Sequence, residues 1–316
     1  MQLKKKIYFL LLLLLILTSL FILIGLNGSN WEYALSRRIP KIIAIIFTGS
    51  SIAFSSLVFQ TITNNRILTP SVLGLDSLYM FIQTFIVFIF GSITLVRLGE
   101  RFNFVLSIGC MALFSIVLFK LLFRREGNNI FFLLLVGLVC GTFFQSMASF
   151  MQVLIDPNEF AIVQNRMFAS FNNINTDILW LALLLGFLAM VYGYKYVRTL
   201  DVLSLGRENA VSLGVEYDKV VKRMLIVICI LVSVSTALVG PIIFLGLLVV
   251  NIAREFLNTY KHKYTIVGSM LISSVALVGG QLIAERIMNF STPISVIINF
   301  IGGVYFIYLL LKENAI

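Results

Sequence analysis

Residues 7–26 read IYFLLLLLLILTSLFILIGL. No charge interrupts this run, and its only polar groups are hydroxyls and the backbone of a glycine. A helix of about 20 mainly apolar residues rises about 30 Å, the thickness of a bilayer's hydrocarbon core. The run is therefore read as a membrane-spanning helix. Lys4, Lys5 and Lys6 precede it, as basic residues precede the apolar part of a secretion signal, but no small-residue cleavage site follows before Trp31. It is read as a retained first span.

Similar runs follow along the whole chain. They start after Pro40 and end near Thr63, then cover 77–95, 104–123, 130–155, 178–196, 224–239, 242–253, 264–283 and 294–311, which makes about ten spans. The only long polar stretch is 197–223. Of the 316 residues, 59% are hydrophobic and 12% charged, with a mean hydropathy of +1.01. A soluble domain carries about 25% charged residues, so this chain has apolar surface that only a bilayer can cover. The reading is a single transmembrane domain over 1–316, all-α and polytopic. Pro40, Pro70, Pro157, Pro241 and Pro293 are expected at span edges or in loops.

An even number of spans places both termini on one side. Every Lys and Arg falls on that side except Arg37, Arg38, Lys41, Arg97, Arg101, Arg166 and Arg286. Basic loops face the cytoplasm, so both termini are expected there. The formal net charge of +10 is thus explained by orientation, with no need for nucleic acid as a partner. Cys110, Cys140 and Cys229 lie inside apolar runs and read as packing residues without metal or disulfide spacing.

Enzyme signatures are absent: there is no HExxH, no G-x-S-x-G and no Walker A run. The lone histidine, His262, sits in a basic loop and reads as solvated. If this chain pumps, another subunit must hydrolyse ATP. Asp76, Asp177 and Glu285 fall near span ends, which disfavours an ion-coupled secondary transporter with mid-membrane charges. A membrane enzyme would need a histidine or acidic cluster, and none is present.

Three features stand out. On the fifth span, Thr142, Gln145, Ser146, Ser149 and Gln152 share one helical arc, fit either for hydrogen bonding within a bundle or for lining a water-filled path. Residues 206–215, GRENAVSLGV, are polar, glycine-bounded and helix-compatible, either a plain surface helix or one that docks a cytoplasmic subunit. Arg37, Arg38 and Lys41 surround Pro40 on the outer side. They could meet an acidic partner, but composition alone favours anchoring a helix end in headgroups.

Five segments together resemble the FecCD-type permeases of bacterial ABC importers for iron chelates, haem and cobalamin. RIPKIIAIIFTGSSIAFSSLVFQ (38–60) is similar to the R-x-P-R opening of that family's second span. NRILTPSVLGLDS (65–77) resembles its N-P-L-A-x-P-x-x-L-G segment. LGRENAVSLGV (205–215) is similar to the coupling segment L-G-x-x-x-A-x-x-L-G-V. GPIIFLGLLVVNIAR (240–254) resembles G-P-I-x-F-x-G-L-x-x-P-H-x-x-R, with Val250 and Asn251 in place of Pro-His. STPISVIINFIGGVYFIYLLLK (291–312) resembles the closing span, with Gly303 where proline is common.

The resemblance implies a type II ABC importer permease fold and a role in moving an iron-siderophore by ATP-driven alternating access. A haem or cobalamin cargo is the nearest alternative. The implied partners are a second permease, two cytoplasmic ATPase subunits that carry ATP and Mg, and an extracytoplasmic binding protein. This chain itself would bind no cofactor. Gly206, Glu208, Ala210, Leu213 and Gly214 would couple to the ATPase, with Arg254 nearby. Arg38, Lys41 and, at a slipped register, Arg286 would meet the binding protein. The fifth span would line the path. The departures at Val250 and Asn251, with NRMFASFNNIN at 165–175, look like the second permease of two-gene siderophore systems, so a heterodimer is favoured over a homodimer.

Overall fold

The structure is a computed structural model, and it describes residues 2–25, 31–97, 99–122, 130–172, 174–288 and 292–313. The described residues form helices α1 (Gln2–Leu23), α2 (Trp31–Ile62), α3 (Leu75–Arg97), α4 (Gly99–Leu122), α5 (Ile130–Leu154), α6 (Pro157–Met167) and α7 (Thr176–Tyr194). These are followed by α8 (Val197–Leu203), α9 (Arg207–Ser212), α10 (Tyr217–Val239), α11 (Leu245–Leu257), α12 (His262–Arg286) and α13 (Ile294–Glu313). A 3-10 turn, Pro70–Leu73, leads into α3. The end of the fourth run at Phe123, the basic pair Arg124 and Arg125, Asn173 and Ser291 lie outside the described residues.

Each of the ten apolar runs has a helix. By length and composition, α1, α2, α4, α5, α7, α10 and α12 are able to cross a membrane. α3 and α13 are apolar over the shorter stretches Leu75–Gly91 and Ile294–Leu309. α11 has 13 residues and rises only about 20 Å, short of the thickness of a bilayer's hydrocarbon core.

The most central helix is not the most apolar one. The apolar window of α1, mostly Leu and Ile, is only 11% buried within the chain, whereas that of α2 is 83% buried. α2 packs most closely on α12 and α10. Its buried face is rich in small residues, including Gly49, Ser50, Ser51, Ala53, Ser55 and Ser56. Lipid already matches leucine in polarity, so helix association in a bilayer depends on close backbone approach instead. A β-carbon added at Gly246 of α11 would collide with the Ser56 side chain, and one at Gly49 would meet Ser273 and Leu277 of α12 at 3.0 Å.

Three expectations need correction. α2 begins at Trp31, so Pro40 lies inside a helix and not at a span edge. The third run does not pass smoothly to Leu95, because Gly91 (φ 74°, ψ 163°) interrupts α3. The loop after the fifth run contains α6, whose start is set by Asp156: its carboxylate accepts from the Asn158 N–H at 2.9 Å, ahead of Pro157 at the first turn.

Candidate functional site: the two ends of the bundle

One end carries α8 and α9. Gly206 (φ +93°) and Gly214 (φ +82°) bracket α9 in backbone conformations that other residues rarely adopt. Within that bracket Ala210 is fully buried, while Val211 and Leu213 are exposed at 55% and 64%, as is Leu205 just before it at 55%. Glu208 is exposed, and its carbonyl accepts from the Ser212 hydroxyl at 2.9 Å. Asn209 donates to the Leu205 carbonyl at 2.8 Å. The turn thus satisfies its own polar groups and leaves an apolar tip uncovered. Arg207 pairs loosely with Asp218 at 3.4 Å and lies over the Tyr217 ring. Lys219, at 2.7 Å, holds the Glu216 carboxyl below its ordinary range. Both pairs are exposed and contribute little to holding α9 in place.

Beside α8 lies His262, which is not a solvated loop residue. It opens α12 and is buried. Asp201 of α8 accepts from both the His262 backbone N–H and Nδ1, each at 2.7 Å. On the other side of the ring, Nε2 meets the Thr61 hydroxyl of α2 at 2.8 Å. Arg254 lies at the same end but not on the turn. With Gln60, Arg66, Ser204 and His262 it lines a cavity of about 640 Å³. Asn251, which stands where the family has histidine, donates to the Arg66 carbonyl at 3.2 Å and ties α11 to the loop after α2.

The opposite end carries the outer basic residues, and here the geometry departs most from the sequence reading. Lys41 pairs with Glu285 of α12 at 2.6 Å, with both side chains largely buried. Asn172 accepts from Lys41 at 3.2 Å and from Gln281 at 3.1 Å. Arg38 donates to the carbonyls of Phe21, Ile22 and Ile24, the last at 2.9 Å, and Arg286 donates to Ile24 at 2.7 Å. These are the carbonyls that the end of α1 leaves without helical partners, and cations are favoured there. Arg37 is exposed and stacks on Tyr33. A second cavity, of about 460 Å³, opens at this end between residues 168–172, Val239–Gly240 and Pro293.

Along α5, Thr142, Gln145, Ser146 and Ser149 are exposed, and Gln152 is half-buried with a 3.3 Å bond to Thr84 of α3. Ala148 and Met151 turn inward. Thr142 bonds back to its own helix at Leu138. Exposed amides on a membrane helix are costly against lipid, so this face fits a water path or a second subunit better than packing inside this chain. Asp76, expected at a span end, is buried on α3 and accepts from the Thr236 hydroxyl of α10 at 2.9 Å.

Known proteins resemble this chain along almost its whole length. The petrobactin import system permease protein YclO of Bacillus subtilis is 62% identical over 99% of both chains. YclN of the same organism, also named a petrobactin import system permease protein, is 26% identical over 99% of both. A solved inward-facing metal-chelate type ABC transporter shares the fold, with a TM-score of 0.84 at 23% identity over 98% of this chain and 99% of that one. The FecCD transport family matches residues 7–312, from the first span to the last, and the chain belongs to that family.

Proposed function

We propose that this chain is the membrane permease of an ABC importer that carries an iron-siderophore of the petrobactin type into the bacterial cell. The observation that carries the reading is end-to-end identity of 62% to YclO. An iron chelate is polar and large, and taking each of its polar groups through hydrocarbon would cost a few kcal/mol. A path between two permeases avoids that cost by opening alternately to each side.

In this reading residues 1–316 act as one permease domain in the cytoplasmic membrane, and the α9 end faces the cytoplasm with both termini. Residues 197–223 form the coupling segment. Gly206 and Gly214 set the turn, Ala210 seats it, and Glu208 and Leu213 enter the ATPase, with Arg254 supporting the same end. ATP and Mg sit on two ATPase subunits, so this chain needs no cofactor. The Arg38, Lys41 and Arg286 end receives the binding protein. Arg37 is placed to meet its carboxylates directly, while the other three must also keep α1, α2 and α12 together. Thr142, Gln145, Ser146, Ser149 and Gln152 line the path. The partner permease is a different chain: YclO and YclN belong to one organism's petrobactin system, and this chain resembles them very unequally.

The test is uptake of labelled iron(III)-petrobactin by cells lacking this chain. Uptake is expected to fall to background and to return when the chain is restored. Normal iron-petrobactin uptake, with haem or cobalamin uptake lost instead, would reassign the cargo.

A further inference from the structure

The α9 turn is bracketed by glycines, and its surface ion pairs are exposed. If movement of this turn is to reach the spans, something stiffer must connect them. We infer that His262, held between Asp201 and Thr61, is the joint through which displacement of the α8–α9 segment is transmitted to α2 and α12. The inference rests on the coupling role proposed above.

One imidazole joins three elements. A carboxylate only accepts, so the Nδ1 proton goes to Asp201, and the same oxygen takes the His262 backbone N–H. That places a negative charge at the N-terminus of α12, where the helix dipole favours it. Nε2, left to accept, meets the Thr61 hydroxyl at 2.8 Å, one residue from the end of α2, and competes for its one proton with the Leu57 carbonyl at 2.9 Å. Thr61 and His262 are each 5% exposed, in the wall of the 640 Å³ cavity, so the inner half of the network is largely shielded from water. A further polar link to α2, from Tyr217 Oη at the start of α10 to the Ile62 carbonyl, is long at 3.4 Å.

What the joint grips is also suited to carrying motion. α2 and α12 share the closest helix packing in the chain, and at their far end Lys41 and Glu285 pin them together. Fastened at both ends, the two helices move as one body, which is how packed elements pass a shift over a distance. His262 is thus a positioning residue: it touches neither ATP nor cargo.

The experiment uses the complete importer in vesicles, with ATP hydrolysis and uptake measured on the same preparation. Thr61→Val keeps the shape of the side chain and removes the bond to Nε2. It is expected to lower uptake per ATP roughly fivefold, the scale of one hydrogen bond, with assembly and hydrolysis retained. Asp201→Ala is expected to lower the ratio by about tenfold, and Asp201→Asn, which keeps an accepting oxygen, to restore most of it. An unchanged ratio in Thr61→Val and Asp201→Ala, with or without reduced yield of complex, overturns the inference and leaves the coupling role standing. A wild-type importer in which hydrolysis drives no uptake overturns both.

Discussion

The two ends of this bundle treat their conspicuous residues in opposite ways. At the α9 end, Val211 and Leu213 face outward, uncovered by any of the described residues, and of α9 Ala210 alone is drawn in. At the far end, Arg38 and Lys41 are partly buried and bonded to the carbonyls at the end of α1 and to Glu285 of α12, and Arg286, though exposed, is bonded to the Ile24 carbonyl. A motif in the sequence states which residue types recur, not whether their charge or surface is left over for a partner. Here the leftover surface lies at α9 and along the polar side of α5. The basic motif first secures the fold and offers only Arg37 plainly to the outside.

This contrast makes predictions of decreasing size. Replacing Glu208 with Arg and Leu213 with Asp puts charge into the uncovered tip. Uptake should fall by roughly two orders of magnitude, as when an interface hot spot is lost, while the protein still inserts and elutes as a folded species. Full uptake by that variant would remove α9 from the mechanism.

At the other end, Glu285→Gln removes the carboxylate that pairs with the largely buried Lys41 and should destabilise the fold by about 3 kcal/mol, seen as a lower unfolding temperature in detergent. Replacing both Lys41 and Glu285 with Met should recover much of that loss. A Glu285→Gln protein as stable as wild type would mean that Lys41 is held in reserve for the binding protein.

Reversal of Arg37 to Glu should slow binding-protein association by about threefold at low salt and have little effect at high salt, as expected of an exposed steering charge. The smallest effect is expected on α5. Gln145→Leu should leave the unfolding temperature unchanged and reduce uptake by about twofold to threefold, since one amide among several polar groups is removed from an open face. A large stability change there would place Gln145 in a bonded interface instead.

The fold was largely legible because a bilayer imposes length and apolarity on each span, and those are local properties. The helical turn α9 is legible in the sequence for a similar reason: Gly206 and Gly214 mark positive φ, and the residues between them are helix-compatible. The partners of charged residues were not. Nothing near Lys41 in sequence points to Glu285, and nothing near His262 points to Thr61 or to Asp201, far away along the chain. Those pairings follow from how α2, α8 and α12 pack. Helix α6 was overlooked although its signal was local: Asp156, Pro157 and Glu159 form a capped first turn that hydropathy alone passes over. Pro40 was placed at an edge because proline breaks soluble helices, yet a membrane helix tolerates it where neighbours satisfy the freed carbonyl.

The most direct test of the account is uptake of labelled iron(III)-petrobactin by vesicles containing this chain, its partner permease and the ATPase, with the binding protein on the side opposite ATP. The account predicts uptake that requires ATP hydrolysis and persists when proton and sodium gradients are dissipated. Uptake that needs an ion gradient and proceeds without ATP would contradict it.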